Sequence, residues 1–134
     1  MKAPNILVIH SDKKELDKVT DFLTDIFKEN HLSFNSFNKV LLCVSEAVIN
    51  SIEHGNNNDK TKLVTIKVTY EPHFIHVQIQ DEGKGFNFST IDNPILSENL
   101  KKESGRGIYI IKSLSNSLNY NEKGNEVQLK IECK

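Results

Sequence analysis

Four side chains on one short stretch could do chemistry together. In Val40–Gly55, VLLCVSEAVINSIEHG, the residues Glu46, Asn50, Glu53 and His54 recur at spacings of three and four, which places them on one side of an α-helix. An acid and an amide one turn apart both offer hard oxygen ligands. Together they can hold a divalent cation and orient a water or hydroxyl. The stretch has no Pro and no internal Gly, so nothing interrupts a helix of about four turns. Phe37, Leu41, Val44, Val48 and Ile52 fall on the opposite stripe and read as core. Leu42, Cys43 and Ile49 flank the polar seam. Two readings fit it: the lining of a site, and a surface helix whose exposed face is short of lysine.

Two later stretches carry related chemistry. Ile75, Val77 and Ile79 alternate with His76, Gln78 and Gln80 as a half-buried strand does. Asp81 continues the inward series, so its carboxylate points to the buried side of the sheet. An unpaired buried charge is very costly, so Asp81 is either a structural hydrogen-bond acceptor or the floor of a pocket. Gly83 and Gly85 follow in DEGKGF, where glycine permits a sharp turn or a close approach of backbone to ligand. Further on, Gly105-Arg106-Gly107 opens the helical run IYIIKSL, with Ile108, Ile111 and Leu114 on one side. Such glycines free helix N-terminal N–H groups for an anion, although a plain loop-to-helix transition would show the same residues. Arg106 is the one Arg among 17 basic residues, as expected where a planar fork is required.

The elements that must position these groups follow from periodicity. Asn5–Ser11 reads as a first strand. Ser11 or Asp12 caps a helix over 13–29, with Glu15 completing a capping box. Asn30–Asn35 breaks the chain, and the seam helix starts near Ser36 and ends at Gly55 as a C-cap glycine. A turn over Asn56–Asp59 leads into strands through Val64, Ile66, Val68 and Tyr70, then Ile75, Val77 and Ile79, joined at Glu71-Pro72-His73. Residues 86–104 show no sustained period beyond a short helix around Leu96–Leu100, and a connection of this length is usually a functional loop or lid. Leu118 and Tyr120, a turn at Asn121–Asn125 containing Gly124, and Val127, Leu129, Ile131 and Cys133 make a second hairpin. The order β-α-α-β-β-loop-α-β-β predicts an α+β two-layer sandwich with a mainly antiparallel sheet. P-loop and Rossmann signatures are absent.

Composition narrows the function classes. A chain of 134 residues is expected to be one domain able to bury a core without staples. Hydrophobic content of 37% and net charge of −1 fit a folded, soluble protein and carry no nucleic-acid or membrane footprint. No apolar run reaches a membrane span and no signal-peptide core is present, so a cytoplasmic location is expected. Cys43 and Cys133 lack CxxC spacing and read as reduced thiols. There are no internal repeats.

Singly each motif is weak; their order and spacing are specific. Glu46-x-x-x-Asn50-x-x-x-His54, then Asp81-x-Gly83-x-Gly85-Phe86, then Gly105-Arg106-Gly107 resemble the N, G1 and G2 boxes of the GHKL ATPase superfamily. EAVxNxxxH with GRGIYIIK, in a stand-alone chain of this length, is similar to the bacterial anti-sigma-factor serine/threonine kinases. The resemblance covers essentially the whole chain and implies a Bergerat-type ATP-binding fold. It implies ATP and Mg²⁺ as cofactors, Asn50 as Mg²⁺ ligand, and Glu46 as the general base. It makes Asp81 the acceptor for the adenine exocyclic amine, with Gly83 and Gly85 shaping the adenine pocket. Gly105 and Gly107 would cradle phosphates, Arg106 would contact the γ-phosphate, His54 would line the site or cap the helix, and 87–104 would be the ATP lid. Implied partners are an anti-anti-sigma (STAS-type) protein as substrate and a sigma factor as alternative partner. Many family members form homodimers, but no exposed apolar stripe in the sequence marks such a face. The acceptor-His hairpin of histidine kinases and the clamp domains of gyrase and Hsp90 are not in this sequence. Two outputs remain: a kinase acting in trans, and a non-catalytic ATP-binding module that sequesters a sigma factor or another regulator.

Overall fold

Among the described residues period-two sequence produces five strands, and they form one antiparallel sheet. The computed structural model describes residues 4–83, 111 and 114–133. The strands are β1 (Asn5–His10), β2 (Leu63–Glu71), β3 (Phe74–Gln80), β4 (Ser117–Tyr120) and β5 (Glu126–Glu132), in the order β1-β2-β3-β5-β4. Every pairing is antiparallel. Val64, Ile66, Val68, Ile75, Val77, Ile79, Val127, Leu129 and Ile131 are buried, which is the inward set that alternation predicts. On the sheet's other face Thr65, Lys67, Thr69, His76 and Gln78 are half-buried, and Ile6 and Val8 on edge strand β1 are 54% and 49% exposed.

Among the described residues, the helices α1 (Leu16–Glu29) and α2 (Phe37–Asn50) and the helical residues Ile111 and Leu114 pack on the inner face. In α1 the buried residues are Val19, Leu23, Ile26 and Phe27, the spacing of one helical stripe. Asp12 caps a single 3₁₀ turn, Lys13–Glu15, by accepting the Lys14 N–H at 3.0 Å. The Glu15 carboxylate accepts the His10 N–H at 3.3 Å. The expected capping box is therefore displaced: Asp12 caps a 3₁₀ turn, and Glu15 reaches past Asp12 to the end of β1. At the other end the Leu32 N–H reaches Phe27 O at 3.0 Å and the His31 N–H reaches Lys28 O at 3.4 Å. With His31 at φ 55°, this is a Schellman closure with His where glycine is usual.

A 3₁₀ turn at Phe34–Ser36 starts α2. Val44, Val48 and Ile52 are fully buried, as are Val40 and Cys43. Phe37 packs edge-on against fully buried Phe27, their ring centroids 5.1 Å apart, which ties the two helices together. Sequence periodicity places one regular helix through Gly55, capped by that glycine. The chain instead leaves the α-helix after Asn50 and passes through a π turn, Ser51–Gly55. The left-handed residues that end it are Asn57 and Asn58, at φ 52° and 60°. Asparagine tolerates that conformation because its short polar side chain can bond locally.

Both cysteines are buried free thiols. Among the described residues no helix is long and apolar enough to cross a membrane. Ile111 and Leu114 are helical, with Ile111 fully buried and Leu114 packed against the core. The expected lid at 87–104, its short helix at Leu96–Leu100, and Gly85, Phe86, Gly105, Arg106, Gly107 and Ile108 lie outside the described residues.

Candidate functional site

The polar seam of α2 is not a solvated face. Asn50 is 2% exposed, and among the described residues its Nδ2 meets no hydrogen-bond partner. Glu46, one turn earlier, and His54 are half-buried. Glu53 leaves the group: its carboxylate pairs with Lys13 Nζ at 2.7 Å, beside the start of α1. A buried amide hydrogen left without an acceptor costs about 1–3 kcal/mol. Amide oxygen and nitrogen exchange places by a simple flip, so Asn50 can offer oxygen or N–H to whatever sits against it.

Asp81 lies where strand parity places it. It follows the last residue of β3, is 4% exposed, and its N–H donates to Asn125 O at 2.9 Å. The Gly83 N–H donates to Asp81 Oδ1 at 2.8 Å. Burial pushes the carboxyl up to about 6, against the opposing pull of that N–H and of Lys123 and Lys62. Burial likewise raises the Tyr120 hydroxyl, with the Asp81 charge adding to it. A carboxylate this enclosed is a strong acceptor for a donor brought by a ligand.

Two glycines make room around it. A methyl group at Gly55 would stand 2.1 Å from Asp81 Oδ2, and one at Gly83 would stand 1.7 Å from the Gly55 carbonyl oxygen. At either place a methyl would force its neighbour to move, the Asp81 carboxylate at Gly55 and backbone at Gly83. The π turn brings Gly55 there, because its extra residue carries the helix end onto the Asp81 loop. Single π turns inside helices occur frequently at functional sites.

Sequence reasoning missed Gly55 in this role, taking it for a C-cap. It also missed Asn56, whose amide is fully buried among Ser11, Leu63 and Glu82. The signal for Gly55 was its position beside the seam. For Asn56 no local signal exists, since its partners come from separate segments of the chain.

The structure thus brings together Asp81, Gly83 and the end of the segment that carries Glu46, Asn50 and His54. Compared with known families, residues 9–131 match the histidine kinase-like ATPase domain. The chain belongs to this family. Among its relatives, the anti-sigma F factor of Anoxybacillus flavithermus is 34% identical over 96 residues, covering 70% of this chain and 66% of that protein. The anti-sigma F factor of Geobacillus stearothermophilus is 34% identical over 101 residues, covering 74% of this chain and 60% of that protein. The serine-protein kinase RsbW of Bacillus mycoides is 24% identical over 92 residues, covering 64% and 57%. These matches thus span 57% to 66% of the relatives' own lengths. A solved structure of the RsbU and RsbW domains of a Mycobacterium tuberculosis protein superposes with a TM-score of 0.67 at 12% identity, over 99% of this chain and 32% of that one. At that identity it speaks for the fold alone: the α+β two-layer architecture is that of the RsbW-like ATPase domain.

Proposed function

We propose that this chain binds Mg-ATP and transfers the γ-phosphoryl group to a Ser or Thr hydroxyl of a small anti-anti-sigma protein, with a sigma factor as its competing partner. The observation that carries the reading is the buried Asn50 Nδ2, which among the described residues meets no hydrogen-bond partner, one turn beyond Glu46, on the segment whose end encloses Asp81. The family's ATPase character and the relatives named as anti-sigma factors and a serine-protein kinase support it.

In this reading Asp81 accepts the adenine exocyclic amine, and Gly83 and Gly85 leave room for the base. Asn50 supplies an oxygen to Mg²⁺. Among the described residues no group of three His, Cys, Asp or Glu side chains gathers to hold a metal. Mg²⁺ usually takes one or two protein ligands and completes its shell with phosphates and water. The metal, when bound, neutralises charge on the phosphates. Glu46 takes the proton of the attacking hydroxyl, while Gly105, Arg106 and Gly107 hold the phosphate end and 87–104 covers it. His54 lines the site beside Asn50. Catalysis would come mainly from positioning and charge neutralisation.

The test is phosphoryl transfer from labelled ATP to a purified STAS-type anti-anti-sigma protein of the same organism. Wild type should label a Ser or Thr. Glu46→Ala should still bind ATP but transfer at least about 100-fold more slowly, the usual worth of a positioned base. Undiminished transfer by that variant would place the base elsewhere. No transfer by wild type, with ATP and a sigma factor still bound, would favour the non-catalytic partner-switching module.

A further inference from the structure

Asn56 is a fully buried polar side chain, 0% exposed, whose amide is used on both sides. Its Nδ2 donates to Ser11 Oγ at 2.7 Å and to Leu63 O at 3.1 Å. Its Oδ1 accepts the Glu82 N–H at 2.9 Å. Ser11 Oγ in turn donates to Lys62 O at 2.8 Å, and the Glu82 carboxylate accepts the Leu63 N–H at 2.8 Å. The result is a closed hydrogen-bonded ring. It joins the end of β1, the start of β2, the turn after the π segment, and the residue between Asp81 and Gly83.

That last connection matters most. The Asp81 N–H is held by Asn125 O, and the next N–H along the chain, that of Glu82, is held by Asn56. The main chain is therefore pinned on both sides of the Asp81 α-carbon, by two segments distant in sequence. The side chain is then directed by the Gly83 N–H and walled by Gly55. Only an amide of this length provides two donors and an acceptor at these places. Aspartate lacks the donors, alanine strands the Glu82 N–H and Leu63 O, and glutamine is one methylene too long.

We infer that Asn56 is a positioning residue for base selection: it fixes the Glu82 main chain, and so the direction in which Asp81 presents its carboxylate to the exocyclic amine of adenine. This rests on the reading of Asp81 as the adenine acceptor. A residue that only held the fold together would affect every nucleotide alike. One that aims Asp81 affects nucleotides carrying the amine.

The experiment is titration of ATP and of ITP, which has a carbonyl oxygen in place of the amine, into wild type and Asn56→Ala. Wild type should prefer ATP. In Asn56→Ala that preference should shrink by roughly tenfold or more, the value of one well-aimed hydrogen bond to a charged group. Affinity for ITP should change less than about twofold, the size expected when no such bond is at stake. An unchanged preference, or an equal loss for both nucleotides, overturns the inference and leaves the adenine pocket standing. A wild type that binds both equally overturns the pocket and the inference together. Should Asn56→Ala lack a cooperative thermal transition, Glu82→Ala decides. Glu82 is exposed and its truncation removes only the strap to Leu63; the preference should fall about twofold to fivefold, as for a partly exposed hydrogen bond. No change there overturns the inference as well.

Discussion

A carboxylate enclosed by Gly55, Gly83 and the sheet is held in its charged form at a cost, and this fixes how the molecule responds to pH. The folded-state pKa of Asp81, about 6, lies above its ordinary value of 3.8. Folding therefore favours the protonated form. The stabilising contribution is complete below about pH 4 and is lost as pH rises through 6. Asp81→Asn should thus be more stable than wild type at pH 7–8, by on the order of 2–3 kcal/mol, and the gap should close by pH 4. Denaturant melts across that range measure it, and a constant gap would contradict the burial account. Nucleotide binding should show the same group from the other side: ATP affinity should fall as pH drops below 6, by up to about tenfold per unit. The glycines make a further residue-scale prediction. The nearest atoms to a methyl at Gly55 are those of the Asp81 carboxylate, a side chain that can turn, whereas one at Gly83 first meets backbone. Gly55→Ala should therefore abolish ATP binding at modest cost to stability, and Gly83→Ala should destabilise the fold as well; paired titration and thermal melts separate the two. Asp81 itself was legible in the sequence, because period-two alternation runs straight through it. The Gly55 wall was not, since it depends on where a helix end meets a loop 26 residues later, whereas Gly83 was marked by its place in DEGKGF.

At the scale of elements, the π turn and the His31 closure are where local sequence and tertiary demand part company. No residue in Ser51–Gly55 announces a wider turn; packing of the helix end on the Asp81 loop selects it. Strand pairs and helix stripes were legible because hydrophobic periodicity is local. Insertion of β5 between β3 and β4 was not, because the order of strands in a sheet depends on long-range pairing. His31 sits exposed in left-handed conformation at φ 55°, where a β-carbon is unfavourable. His31→Gly should raise stability by about 0.5–1 kcal/mol, after the greater entropy glycine loses on folding, read as a shift of a few degrees in Tm. A loss of stability would mean that the His31 side chain contributes more than its backbone costs. At Phe27 the direction reverses. It is fully buried and packs against the tilted ring of Phe34 and edge-on against Phe37, so Phe27→Ala should cost about 3–5 kcal/mol and loosen both helices.

Across the whole molecule, one layer of helices covers one face of the sheet, and the candidate site lies where the π turn after α2, the end of β3 and the β4–β5 turn converge. The order of elements read from periodicity foresaw this class of fold, and the ordered boxes foresaw the histidine kinase-like family that residues 9–131 match. Partner surfaces were not legible, because a docking face for a protein leaves no fixed spacing in sequence. Cys43 and Cys133 are buried on the same core, and burial raises both thiols, Cys43 to about 11. Neither should react with a thiol reagent in the native protein, and both should react on unfolding, since the thiolate is the reactive form. The proposed role of Asp81 as the floor of an adenine pocket meets its clearest test in calorimetric titration of Mg-ATP into wild type and Asp81→Asn. It predicts saturable binding by wild type at one site per chain, and affinity lower by roughly 100-fold or more in the variant, as for a buried charged acceptor removed. Equal binding by both proteins, or none by wild type, would contradict it.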